Sequence, residues 1–278
     1  MIRNMEQSRV KIEQKYVALI IALDGKLRNS RLIYQLEESN IFLSIEVVKG
    51  LWPSDLDPSF LYEQKRNASQ IYGREITEIE IAIKESHELA YRRALHLGLE
   101  RVLIFEDDAL ISSQDSFVNS MREITRVESP TIWTLYSPDW SVWIRRKIQT
   151  QSAFPPPGAV AYLINRMAMI SATQEDSLGI ADWPTWSRRV DFFLVPNSGV
   201  SHAPEGSYAE KQRSETKYAV TNAHSILKTI VNVRSVNQFY WCVYTPLVWK
   251  ISGYICSVLF RRQMNTTDRI IFGFRKIR

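Results

Sequence analysis

The sequence predicts an α/β fold: a mostly parallel central sheet flanked by helices. Two apolar runs and one long amphipathic segment predict it. Tyr16 to Leu23 (YVALIIAL) and Arg101 to Phe105 (RVLIF) are short, nearly all-apolar and rich in branched residues, the pattern of strands buried on both faces. Between them, Ile76 to Leu97 repeats apolar residues at helical spacing. Strands alternating with helices favour parallel pairing with the helices packed on the sheet.

In chain order, Tyr16–Leu23 ends at Asp24–Gly25, a turn pair. Arg28 to Ser39 reads as a helix and Ile41 to Lys49 as a second strand, which opens a βαβ alternation. Trp52 to Pro58, with two prolines and two aspartates, reads as a loop. The helix over 76–97 starts with a capping box, Thr77 taking the amide three residues on and Glu80 reaching back. Ile79, Ile83, Ser86, Ala90, Ala94 and Leu97 line one face, and Gly98 is placed as a left-handed terminator. Thr131–Tyr136, Val160–Ile164 and Val190–Val195 read as later strands. Ala153 to Gly158 (AFPPPG) reads as neither helix nor central strand, because three prolines remove three amide donors.

At 278 residues the chain is long enough for one large or two modest domains, and 45% hydrophobic with 23% charged residues sets disorder aside. A net charge of +5 suits anionic partners. The basic residues are scattered, however, with no recognition motif for nucleic acid and no glycine loop to cradle phosphate. Two cysteines, Cys242 and Cys256, make no disulfide framework. Met1 to Lys15 is polar throughout, unlike a secretory leader. The expectation is a cytoplasmic protein.

Near Lys217 the character changes, which divides the chain into a domain over 1–216 and a C-terminal helical extension over 217–278. Val236 to Phe260 is aromatic and apolar with Lys250 as its one charge, followed by Arg261 and Arg262. That mixture suits a segment lying at an anionic membrane surface, peripheral at its inner face. A buried C-terminal helical region is the alternative.

Glu106–Asp107–Asp108 stands directly after the second apolar strand. Ligands of open α/β sheets bind beyond the carboxyl ends of strands. Three adjacent acids repel one another, and a hard divalent cation removes that penalty while sharing its other positions with phosphate. The alternative is a solvated acidic turn or a helix cap.

The run from Gly73 to Ser112 resembles glycosyltransferase family 25, which includes lipooligosaccharide galactosyltransferases. Thr77, Glu80, Ser86, His87 and Glu106–Asp107–Asp108 occur in the family's order and spacing. Leu19 to Arg31, with Leu23–Asp24 and Arg31, is similar to the family's opening strand. Gly158 to Ile164, with Tyr162, is similar to its Gly-x-x-x-Tyr-x-Ile segment, and Asp182–Trp183 to its later acidic position. The likeness covers residues 16 to about 205. It departs at Ile79–Ile83, where the family's two glycines and cysteine are missing; this bears on the donor sugar.

The resemblance implies a GT-A fold, a UDP-sugar donor and inversion at the anomeric carbon. It implies Mn2+ or Mg2+ on Glu106, Asp108 and His202. It also implies a donor site drawn from Leu23, Asp24, Arg31, Glu80, Ser86, His87, Asp107 and Tyr162. Asp182 is the candidate base toward the acceptor hydroxyl; a cap before Pro184 is its alternative. The capping box alone accounts for Glu80, and packing alone for Ser86. Tyr162, Trp183 and Trp186 are candidate sugar platforms. The expected partners are a nucleotide sugar, a glycan or glycolipid acceptor, and an anionic membrane. A different donor sugar, or a silent glycan-binding domain, stays open.

Overall fold

The computed structural model describes residues 15–23, 25–72, 76–124, 126–136, 150–152, 158–174, 184–195 and 197–202. In chain order these form β1 (Tyr16–Ala22), α1 (Leu32–Glu38), β2 (Phe42–Lys49), α2 (Pro58–Tyr72), α3 (Glu78–His96), β3 (Arg101–Glu106), β4 (Ala109–Ile111) and α4 (Gln114–Glu123). They continue with β5 (Thr131–Thr134), β6 (Thr150–Ser152), β7 (Ala161–Asn165), α5 (Arg166–Gln174), β8 (Asp191–Leu194) and β9 (Val200–His202). Short 3-10 turns occupy Pro53–Asp55 and Thr185–Arg189.

Seven strands make the main sheet in the order β2-β1-β3-β7-β5-β8-β6. β2, β1 and β3 run parallel, as do β5 and β8, while β7 is antiparallel to both its neighbours and β6 to β8. Five of the seven strands therefore point one way, as expected for a mostly parallel sheet. The βαβ unit of β1, α1 and β2 is the predicted one. α1 begins at Leu32 rather than Arg28, because Arg28 and Asn29 turn their side chains toward the residues after β3.

Successive strand residues point to opposite faces, and the core divides accordingly. Leu19 and Ile21 of β1, Val102 and Ile104 of β3 and Tyr162 and Ile164 of β7 pack with α2, α3 and α5. Ala18, Ile20, Leu103, Phe105 and Leu163 pack on the other face with Leu32 and Leu36 of α1 and Phe117 and Met121 of α4. The result is a sheet between two helical layers. α3 carries the predicted box in full, with both the Thr77 and Glu80 bonds present, and Gly98 follows at φ +69°. The C-terminal segment over 217–278 and the proline run Pro155–Pro157 lie outside the described residues. No helix among the described residues is long and apolar enough to cross a membrane.

Candidate functional site

The alternation along β3 decides where the acidic triplet begins. Val102 and Ile104 face α3, so Glu106, two residues on, faces α3 as well. Its carboxylate Oε1 lies 3.4 Å from His87 Nε2. The chain then turns through Asp107 and Asp108 into β4. Asp108 is fully buried.

The loop after β1 clasps this turn. Asn29 donates its backbone N–H to the Asp107 carbonyl (2.9 Å) and its amide to the Ala109 carbonyl (2.7 Å). Arg28 donates from Nε to Asp107 Oδ1 at 2.7 Å, and its Nη2 lies 2.9 Å from Asp108 Oδ2. One guanidinium thus serves two adjacent carboxylates, the fork geometry at which arginine excels. Burial works against the Arg28 charge, but the bond to Asp107 and the fields of Asp108, Asp107 and Glu106 raise its pKa above the usual value. Burial also raises the Asp107 carboxyl; Asp108 and Glu106 add to that rise, and Arg28 opposes it without cancelling it.

A second sheet closes the other side. β4 and β9 pair antiparallel with Ala109 opposite His202, which sets His202 Nε2 3.0 Å from Asp108 Oδ2. Gly199 makes the approach possible: it sits at φ +71° against the Ser113 carbonyl, where a Cβ would collide with that oxygen. Its own carbonyl accepts the Ser112 N–H at 2.7 Å. Asp108 Oδ1 remains buried without a hydrogen-bond partner among the described residues.

On the α3 side, His87 Nδ1 meets the Tyr162 hydroxyl at 2.8 Å, and that hydroxyl meets Tyr91 Oη at 2.6 Å. His87 and Tyr91 are four residues apart on one helix face, and Tyr162 faces them from β7. Ser86 looks the other way. It donates to the Ala82 carbonyl (2.7 Å) and accepts the Leu51 N–H (2.8 Å), tying the exit of β2 to α3. Glu80, fully buried, takes the Thr77 N–H and hydroxyl, both at 3.0 Å, as its box requires.

Residues 16–151 match the family described as glycosyltransferase family 25 (LPS biosynthesis protein). Over this segment, just under half of its length, the chain is similar to glycosyltransferase family 25. The match takes in the Arg28 loop, the helix with His87 and the whole acidic turn, while Tyr162 and His202 lie beyond it. No individual curated protein matches the chain.

The expected site residues fall into three groups. Glu106, Asp107, Asp108, His87, Tyr162 and His202 are brought together. Leu23 is buried where β1 ends, Ser86 and Glu80 make the structural bonds above, and Arg31 is exposed at the start of α1. Asp24, Asp182 and Trp183 lie outside the described residues. The platform expectation for Tyr162 and Trp186 is corrected: both rings are enclosed in the core, with no face left for a sugar.

Two participants escape a reading of the sequence. Arg28 meets the turn from 79 residues away, and no local pattern prefers it to Arg31. Tyr91 is one more aromatic on a helix face until β7 is placed against it.

Among the described residues no cluster of three or more His, Cys, Asp or Glu side chains is gathered to hold a metal ion. The donors at the turn are fewer. Asp108 and His202 are adjacent and Asp108 Oδ1 is buried without a bond, while Glu106 is turned to His87. One carboxylate oxygen with an adjacent imidazole fits a cation that takes its remaining positions from phosphate and water.

Proposed function

We propose that this chain transfers a sugar, galactose first among the candidates, from a UDP-sugar to a glycan or glycolipid acceptor with inversion. The setting is lipopolysaccharide or lipooligosaccharide synthesis and the fold is of the GT-A type. The family supports the coarser part, a glycosyltransferase of LPS biosynthesis. One observation carries the finer part: Asp108, fully buried beyond β3, keeps an oxygen without a hydrogen bond beside His202. Leaving a buried carboxylate oxygen unbonded is costly, and a ligand that arrives with its own cation relieves that cost.

In this reading Asp108 and His202, joined by Glu106 when it leaves His87, hold Mn2+ or Mg2+. The bound cation supplies neutralisation of the charge that develops on the departing diphosphate. Arg28 contributes positive charge at the same turn. Asp182 takes the acceptor hydroxyl proton on the face opposite the leaving group, as inversion requires. The membrane contact belongs to the same proposal: Val236–Phe260 with Arg261 and Arg262 rests on anionic lipid at the inner face.

A hydrolysis panel of UDP-sugars, run with and without manganese, tests this. One donor turns over with the metal, chelator abolishes it, and Asp108→Asn abolishes it in a protein that still melts cooperatively. Full turnover by Asp108→Asn in chelator would remove the metal from the account, and turnover of glucose or N-acetylglucosamine alone would replace galactose.

A further inference from the structure

β4 and β9 have three residues each, yet they hold Asp108, just before β4, against His202, the last residue of β9. Two strands alone are marginally stable in water. Antiparallel partners alternate between pairs that exchange backbone bonds and pairs that do not. Ser112 donates its N–H to the Gly199 carbonyl at 2.7 Å. Two residues back, Leu110 therefore faces β9 as well, while Ala109 and Ile111 turn their backbone groups to the opposite side.

No strand lies on that side of β4 among the described residues. Two side-chain amides from the segment after β1 stand there instead. The Ile111 N–H donates to Gln35 Oε1 at 3.3 Å, and Gln35 Nε2 donates to the Ile111 carbonyl at 2.9 Å. Asn29 Nδ2 donates to the Ala109 carbonyl at 2.7 Å. A carboxamide that gives one bond to a residue and takes one from it reproduces the pairing of a neighbouring strand. Both amides are held in turn. Asn29 Oδ1 accepts the Arg31 N–H at 3.1 Å, which leaves its NH2 group for Ala109. Gln35 stands on α1, whose Leu32 and Leu36 are fully buried, and its backbone carbonyl accepts Gln114 Nε2.

We propose that Gln35 and Asn29 are positioning residues for the bound cation: they replace a third strand beside β4 and so keep Asp108 and His202 together as a ligand pair. The cation part of this inference rests on the function proposed above; the clamp on β4 does not. These bonds end on the backbone of β4, so the amides act on the ligands only through the strand. Without Gln35, the part-buried N–H and carbonyl of Ile111 lose their partners, and the ribbon is left as two short strands. Groups that support metal ligands from behind typically set affinity by ~10–100-fold.

The test joins amide hydrogen exchange with manganese titration of the full chain, with and without UDP, read from the spin resonance of the free ion. In the wild-type protein the Ile111 amide is expected to exchange slowly although it faces away from β9; fast exchange there overturns the clamp without any variant. Gln35→Met keeps length and helix propensity but removes both bonds. It is expected to speed exchange at Ile111, leave α3 and β1 protected, and weaken manganese binding by ~10–100-fold. The manganese needed for half-maximal UDP-sugar turnover should rise in step, with kcat at saturating manganese moved far less. Tyr34→Ala, an exposed change on the same helix, should alter neither exchange at Ile111 nor manganese affinity. Unchanged manganese affinity in Gln35→Met, or an equal loss in Tyr34→Ala, overturns the positioning role. A wild-type chain that binds no manganese, with UDP or without it, removes the cation of the proposed function, and exchange at Ile111 then decides the clamp by itself.

Discussion

Arg28 is the residue that lets two neighbouring carboxylates be buried side by side. Asp107 and Asp108 repel each other, and each would lose hydration at a cost of several kcal/mol if left unpaired. The guanidinium reaches both, and four-fifths of its side chain is itself removed from solvent. Arg28→Ala is expected to destabilise the protein by about 3–5 kcal/mol, the usual cost of removing one partner from a buried ion pair. Urea unfolding measures it. Arg28→Lys should recover only part, since a single ammonium cannot fork to two carboxylates. Adding Asp107→Asn to Arg28→Ala should restore some of the loss, because the two residues share one network. A loss within ±0.5 kcal/mol would show that the ion pair carries no weight in the fold. The acids of this site were legible because they adjoin a strong strand signal. Their arginine was not, since its role exists only once β1 and β3 lie together.

At the scale of elements the same contrast holds. β1, β3 and α3 were legible because local pattern and tertiary role agree: an apolar run that is buried, and a capping box that caps. β4 and β9 have three residues each, too few for a period to register, although they bring His202 to Asp108. α2 was hidden by its own start signal. Two prolines and two aspartates suggest a loop, yet Asp57 and Pro58 are also what a helix begins with. Asp57 Oδ1 accepts the N–H groups of Ser59 (2.8 Å) and Phe60 (3.1 Å) as well as the Ser59 hydroxyl. The Ser59 hydroxyl bond, then the backbone bonds, hold its pKa below the usual carboxylate value. A depressed folded pKa adds stability above the unfolded value, ~3.9, which is lost as pH falls through the folded one. Asp57→Ala should therefore melt lower than wild type at neutral pH, with the gap closing in strong acid. A gap independent of pH would assign the effect to helix propensity instead of the charge.

Over the whole molecule, the sheet order explains how one site draws on distant stretches of chain. β1 lies between β2 and β3, and β7 lies between β3 and β5. The loop after β1, the turn after β3 and the aromatic pair on β7 and α3 are thereby gathered around the end of β3. Every residue in that arrangement, and every residue proposed for the donor, precedes Lys217. The aromatic run Val236–Phe260 and the basic residues from Arg261 to Arg278 come after it. Aromatic rings favour the headgroup boundary, and arginines add an attraction to anionic lipid that salt screens. Truncation before Lys217 is therefore expected to leave UDP-sugar binding and abolish sedimentation with anionic vesicles. The full chain should leave those vesicles as salt is raised. Collapse of the truncated protein would make the segment part of the core. Extraction of the full chain by detergent alone, indifferent to salt, would mean that the segment is embedded in the bilayer instead of resting on it.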